Sequence, residues 1–216
     1  MGMTKIIACQ TIEDEIKKVI PEQVEAQYME YALHRHPDKL RREVQLAIDE
    51  SSEHDTILLG YGLCSNGTAG LSSKDKRLVV PRVHDCISIL LGSRDKYQQE
   101  FEKHPGTIYL SKGWLDHGGD PYSCYQDYRE EYGEESALWI LDQEYKNYQR
   151  LAFINTPVGE LEEYRRLSRE ISRLLGLEYL ELEGSLVMLE DLLQGRWEQD
   201  FITVPPGKMV IEHHFR

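Results

Sequence analysis

A chain of 216 residues with a formal net charge of −13 is long enough to bury its own core and too acidic to present a broad basic surface. General binding to nucleic acid or to an anionic membrane is excluded, since both need clustered Lys and Arg. No stretch is long and apolar enough to span a bilayer, and the start, MGMTKIIACQTIEDE, lacks the apolar core and cleavage site of a secretory leader. The expected compartment is the cytoplasm, where cysteines are metal-binding, reactive or buried more often than disulfide-bonded.

Along the chain, TKIIACQTI (residues 4–12) predicts a first strand. Helical signals run through residues 21–52, with Leu40, Val44, Ala47 and Ile48 at helical spacing. HDTILLGYGLC (54–64) is a short apolar run ending in glycines, the pattern of a strand buried in a parallel sheet. RLVVPR (77–82) predicts another strand, in which Pro81 either ends the ladder or lies near a sheet edge. CISILLGSRDKYQQEFEKH (86–104) predicts a helix weakened by Gly92, and GTIYLSKGW (106–114) a strand. YGEESALWILDQEYKNY (132–148) reads as a helix and RLAFINTP (150–157) as a strand. Residues 160–176 form an amphipathic helix, with Leu161, Tyr164, Leu167, Ile171 and Leu174 on one stripe and Gly176 as its stop. LEYLELEG and DFITVPPG are further strands on either side of a helical SLVMLEDLLQG.

Strands alternating with helices predict an α/β fold: a mostly parallel sheet with helices on both faces, Rossmann-like. A single domain over 1–216 is one organisation; a break at residues 147–150 would instead divide it into 1–148 and 149–216, two similar halves. One continuous sheet fits equally well.

In open parallel sheets, ligands gather beyond the carboxyl ends of the strands. On this reading Cys9 ends the first strand, Gly60, Gly62 and Cys64 the second, and His84, Asp85 and Cys86 follow the third. Lys112, Gly113 and Trp114 follow the fourth, and Asn155 and Thr156 end the fifth. Cys64, His84 and Cys86 are therefore candidate metal ligands, with Cys9 as an additional one. Thiolate and imidazole suit zinc, and a three-ligand set leaves a position for water, substrate or a thiol. The assignment requires the strands before Cys64 and His84 to be parallel; antiparallel pairing would put the two residues at opposite ends. An iron–sulfur cluster on four cysteines is the alternative, although the polar surroundings of Cys124 predict a loop. For each cysteine alone, an inert core position competes.

Gly60, Gly62, Asn66 and Gly67 form a candidate ligand-binding turn, where backbone approaches a ligand or a neighbouring strand. Its last glycine lies two residues beyond the place the dinucleotide fingerprint requires. Arg82 and Trp114 join the ligand-binding set, and Arg82, Arg94, Lys96 and Lys112 would supply local positive charge. Asp85 and Lys112 are the candidate catalytic groups; Asp85 also fits a helix cap or an orienter of His84. Residues 116–119 form a loop that would close over the site. His34, His36, His213 and His214 have no evident partners and are expected in solvent.

The stretches GYGLCSNG, VPRVHDCISILLGS and GTIYLSKGW resemble the family called domain of unknown function 1638, found in anaerobic bacteria and methanogenic archaea. The resemblance runs from about Ile6 to Gly195 and transfers no catalytic residues. Because its members occur in organisms rich in corrinoid methyltransferases, it implies a corrinoid, a corrinoid protein or a methyltransferase as cofactor or partner, beside a small-molecule ligand. A smaller similarity concerns ligand chemistry alone. Zinc methyltransferases that activate thiols use a His-x-Cys pair plus another Cys, and His84-x-Cys86 is similar to that pair, whereas Cys64 lies upstream instead of downstream. Three functions follow as expectations: a metal-dependent methyl- or alkyltransferase, a non-catalytic accessory protein that binds a corrinoid, tetrapyrrole or metal, and a regulatory ligand-binding domain.

Overall fold

The structure, a computed structural model, describes residues 2–215. Its first sheet has the strand order β2-β1-β3-β4-β8, with β1 at Thr4–Cys9, β2 at Val24–Met29, β3 at Thr56–Gly60, β4 at Arg77–Pro81 and β8 at Phe201–Val204. Strands β1 to β4 are parallel and β8 is antiparallel to β4. A second, wholly parallel sheet has the order β5-β6-β7, at Thr107–Leu110, Arg150–Asn155 and Glu178–Glu183. The protein is thus α/β with mostly parallel sheets and Rossmann-like layering. The strands lie in two sheets, not one. The chain moves to the second sheet after β4 and returns after β7.

Alternation along each strand sorts side chains to two faces. Ile6, Ala8, Leu58 and Val79 point to a core that includes Ile16 of α1 (Glu13–Val19), Ile87, Ile89, Leu90 and Leu91 of α3 (Cys86–Leu91) and Met188, Leu189, Leu192 and Leu193 of α9 (Val187–Leu193). Ile7, Cys9, Ile57, Leu59, Leu78 and Val80 point the other way, onto Leu40, Val44, Ala47 and Ile48 of α2 (Pro37–Glu50). Most of these side chains are fully enclosed, and each such Ile or Leu is worth about 1.5–3 kcal/mol of burial. Being buried on both sides is why these strands read as unbroken apolar runs.

Several elements differ from the sequence reading. Residues 24–29 are strand, not helix. The helix expected over 86–104 is two: Gly92, at φ 71°, ends α3, and Ser93 caps α4 (Arg94–Lys103) by accepting from the Lys96 N–H. Strand β5 stops at Leu110, and Lys112–Asp116 is a short helix, α5. Cys124 lies in helix α6 (Pro121–Tyr132), not in a loop; Asp120 caps that helix and Pro121 starts it. Helix α8 (Glu162–Leu175) flanks the second sheet, and Ile171 and Leu161 pack with Leu151 and Phe153 of β6, whereas α7 (Glu134–Tyr145) packs on α6 and α8. Pro81 ends β4 while the strand itself lies inside the sheet, between β3 and β8.

Candidate functional site

The order β2-β1-β3-β4 contains a topological switch point. From β1 the chain leaves through α1 on one face to reach β2; from β2 it returns through α2 on the other face to reach β3 on the far side of β1. The carboxyl ends of β1 and β3 are left with a crevice between them, where folds of this kind seat their ligands. Cys9 is the last residue of β1, and residues 61–64 continue from β3.

The parallel pairing of β3 with β4 decides the geometry of the cysteines. Beyond the strands the two chains stay together: the Leu63 N–H donates to Val83 O at 2.8 Å and the Cys64 N–H to His84 O at 2.8 Å. Gly62 makes the approach feasible, since a Cβ there would lie 2.6 Å from Val83 O and 2.7 Å from Asp85 N. Cys64 is thereby laid beside the His84–Asp85–Cys86 segment. The turn itself is strained: Cys64, Ser65 and Asn66 all adopt left-handed backbone, with φ of 46°, 54° and 68°. Each such non-glycine residue costs on the order of 1–2 kcal/mol. The turn is offset by bonds from Gly67 N–H to Cys64 O, from Thr68 Oγ1 to Gly62 O and from Arg41 to Asn66 O. Strain sustained in this way is characteristic of functional loops.

A cleft of about 470 Å³ opens here, lined by His34, Leu63, Cys64, Ser65, Asn66, His84, Asp85, Cys86, Trp114 and Glu212. Cys64 and Cys86 form part of its wall, and Cys9 lies behind them, buried, accepting a hydrogen bond from Thr11 Oγ1 at 3.2 Å. Burial pushes the Cys64 thiol up to about 12, with the Asp85 carboxylate acting in the same direction. Burial also raises Cys86 well above its ordinary value, seconded by Asp85, Cys64 and Cys9, while the indole of Trp114 opposes weakly. Cys9 is raised by burial against the Thr11 hydrogen bonds. Cys64 and Cys86 keep part of their surface open to the cleft, yet protein surrounds both sulfurs. At neutral pH all three are thiols.

The other expected site residues divide into two groups. His84 is exposed at the cleft mouth, and Asn66 and Trp114 line the wall. Asp85 also lines it, but its carboxylate caps α3, accepting from the Ile87 N–H at 3.0 Å, with the Tyr97 hydroxyl at 3.4 Å. Burial raises its pKa, against those hydrogen bonds and the nearby His84. Gly60, Gly62 and Gly67 serve chain packing: added Cβ atoms would meet Ala8, the 83–85 backbone and Leu40 respectively. Lys112 is outside the cleft, held at 2.5 Å from both Asp14 and Asp116, which raises its pKa against the opposing effect of burial and keeps it charged. Arg82 is not part of the lining, and neither Lys nor Arg occurs there. Cys124 lies outside the lining, its sulfur 3.7 Å from an Arg35 nitrogen. Among the described residues, no three His, Cys, Asp or Glu side chains already form a group that could hold a metal ion.

Five residues were missed: Leu63, Ser65 and Glu212, which line the wall, and His34 and Tyr61. His34, expected in solvent, is half-buried on the cleft wall and meets Trp114 edge-on at 4.7 Å. Its Nδ1 lies 2.5 Å from Tyr31 O, which can only accept, so Nδ1 carries the proton and Nε2 is the lone-pair nitrogen. Burial lowers its pKa, favouring the neutral ring. Tyr61 is 3 % exposed and packs with Cys9 and Cys64. Of the loop expected over 116–119, Asp116 belongs to α5; beyond it His117 stacks on Tyr31 at 5.9 Å and Gly119 packs against Trp114 on the cleft wall.

Layering, switch point and site together define an α/β protein of Rossmann-like build with a cysteine-walled cleft where such folds take their ligands. The chain belongs to the family described as Protein of unknown function (DUF1638), which matches residues 28–193. The matched segment includes Cys64, His84, Cys86 and Trp114, whereas Cys9 precedes it. No curated protein and no solved structure matches the chain. Among the described residues, no helix is long and apolar enough to cross a membrane.

Proposed function

We propose that this protein is a metal-dependent enzyme that holds a soft divalent cation, zinc in the first instance, through Cys9, Cys64 and Cys86, with His84 at the mouth of the site. The observation that carries the reading is the placement of Cys64, on the turn after β3, and Cys86, at the start of α3, on the wall of the switch-point cleft, with Cys9 buried at the end of β1. Thiols and an imidazole are a zinc donor set. Raised thiol pKa values disfavour a cysteine acting alone as nucleophile, because the thiol and not the thiolate predominates at neutral pH. They suit sulfurs that ionise only against the charge of a bound cation. Binding requires side-chain rotation, and the turn at Cys64–Ser65–Asn66 is the segment with strain to release.

When bound, such a metal would hold an incoming thiol in its reactive, ionised form, which suits methyl or other alkyl transfer. The chain's own residues supply the enclosure. Trp114, His34 and Leu63 wall the cleft beside Cys64 and Cys86, and Asp85 fixes the start of α3 and with it Cys86. A lining without Lys or Arg disfavours phosphate-bearing ligands, including nucleotides. The reading is tested by purifying the protein anaerobically, measuring its metal content, and assaying transfer from methylcobalamin to a small thiol. About one equivalent of metal with turnover supports it. Metal without turnover overturns the enzymatic half and leaves an accessory metal protein. Folded protein that neither contains nor takes up metal overturns it entirely.

A further inference from the structure

Two hydrogen-bond donors beside the cysteines have nothing to donate to. The Tyr61 hydroxyl is buried without a partner, and so is the indole Nε1–H of Trp114. Buried donors are rarely orphaned, because each gave up its bond to water on folding. Both orphans lie among the residues that surround the cysteines. Tyr61 follows directly on β3 and packs in one apolar cluster with Cys9 and Cys64. Its ring also lies within electrostatic range of Cys86. Trp114 shares the cleft wall with Cys86, and its N–H lies toward that sulfur without completing a hydrogen bond. Its place is fixed by Gly113, whose backbone sits so close to Thr11 that an added Cβ would come 2.1 Å from the Thr11 carbonyl oxygen. A neutral thiol is a weak acceptor, whereas a sulfur carrying negative charge is a strong one.

We infer that Tyr61 and Trp114 are positioning residues whose donors are aimed at the site's own sulfur ligands and find their acceptors in the metal-loaded state. The inference rests on the metal reading above and extends it to the groups that tune the ligands. Donation to the sulfurs would disperse the negative charge that three thiolates place around one divalent ion. It would also fix which sulfur lone pair faces that ion, as outer hydrogen bonds do in other metal sites.

The test exploits an opposition of sign. Metal-free parent, Tyr61→Phe and Trp114→Phe are melted, then titrated with zinc against a chromogenic chelator. Removing an unpaired hydroxyl takes away an unsatisfied group, so metal-free Tyr61→Phe melts at or above the parent temperature. Zinc affinity falls about tenfold in each variant, with the stoichiometry unchanged. With cobalt(II) as the probe, the sulfur-to-metal charge-transfer band moves to lower energy as the sulfurs lose a donor. Equal zinc affinity in the parent and both variants overturns the inference and leaves the metal reading intact. Affinity loss matched by a lower melting temperature of metal-free Tyr61→Phe shows a merely structural role and also overturns it. A folded parent that takes up no zinc overturns the metal reading, and the inference falls with it. Should Trp114→Phe fail to fold, Tyr61→Phe, which loses a single oxygen, decides alone.

Discussion

Replacing Gly62 by alanine is the sharpest structural perturbation of the cleft. The new methyl would lie 2.6 Å from Val83 O, 2.7 Å from Asp85 N and 2.9 Å from His84 C, all of them backbone atoms that cannot swing aside. Gly62 is not in the left-handed region, so the effect is steric and not conformational. Overpacking of this kind costs about 1–3 kcal/mol. The two bonds that tie Leu63 and Cys64 to Val83 and His84, each 2.8 Å long, would stretch, at about 1 kcal/mol apiece. The sum is about 3–5 kcal/mol, below the ~5–15 kcal/mol that holds a typical domain together, so the variant stays folded. At ~2–4 °C per kcal/mol for a chain of this size, the melting temperature falls by ~6–20 °C. The same displacement carries Cys64 away from Cys86, so metal uptake falls as well. Gly159→Ala is the control: its φ is 59°, nothing lies within 4 Å of the added carbon and it is not in the cleft lining, so only a backbone cost of about 1–2 kcal/mol applies. Thermal unfolding and metal content are measured on both. If Gly62→Ala melts no lower than Gly159→Ala and keeps its metal, the close approach of the two segments does not build the site.

Three further outcomes are expected. Glu15 is 1 % exposed, accepts from Thr156 Oγ1 at 2.6 Å, and burial raises its pKa above the usual carboxylate value. A raised folded-state pKa gives stability that is full below the unfolded value and is lost as pH rises through the folded one. Glu15→Gln, which mimics the protonated form, therefore melts higher than the parent at pH 7, and the difference vanishes toward pH 4; a constant gap across that range would refute the assignment. Ser65→Gly relieves a left-handed position at φ 54° at the expense of unfolded-chain entropy, for a net gain of ~0–1.5 kcal/mol in denaturant unfolding; a loss of stability would show that the turn is not strained. Lys112→Met breaks the pairs with Asp14 and Asp116, which are partly open to solvent, so the cost is only about 1 kcal/mol, and metal content is unchanged; loss of the metal would return Lys112 to the site.

The sheet edge was legible in the sequence because β1, β3 and β4 are buried on both faces and so stand out as short apolar runs closed by Cys9, by Gly60 and by Pro81. The gathering of Cys64 with Cys86 followed from assuming those strands parallel, which they are. Strand β2 was hidden by its chemistry. Val24, Ala26 and Tyr28 alternate with Glu25, Gln27 and Met29, a strand period, but Glu, Gln and Ala are also helix formers, and an edge strand needs little burial. Missing β2 removed His34 from view, since it follows the carboxyl end of that strand at the same sheet edge. Helix α6 carried a readable start in Asp120–Pro121, but only Pro121 and Tyr125 are buried, too few to make an apolar stripe. The division into two sheets had no local signal. Lys112 and Thr156 do follow strand ends, but the strands belong to the second sheet, and from that edge only Trp114 reaches the cleft wall.

The central claim is that Cys9, Cys64 and Cys86 form one metal site and that Cys124 does not belong to it. Each is replaced singly by serine, whose hydroxyl stays protonated at neutral pH and binds zinc poorly, and metal per chain is measured on anaerobically purified, folded protein. The account predicts loss of most of the metal in Cys9→Ser, Cys64→Ser and Cys86→Ser, and parental content in Cys124→Ser. Parental metal in Cys64→Ser or Cys86→Ser, or loss in Cys124→Ser as complete as in Cys86→Ser, would contradict it.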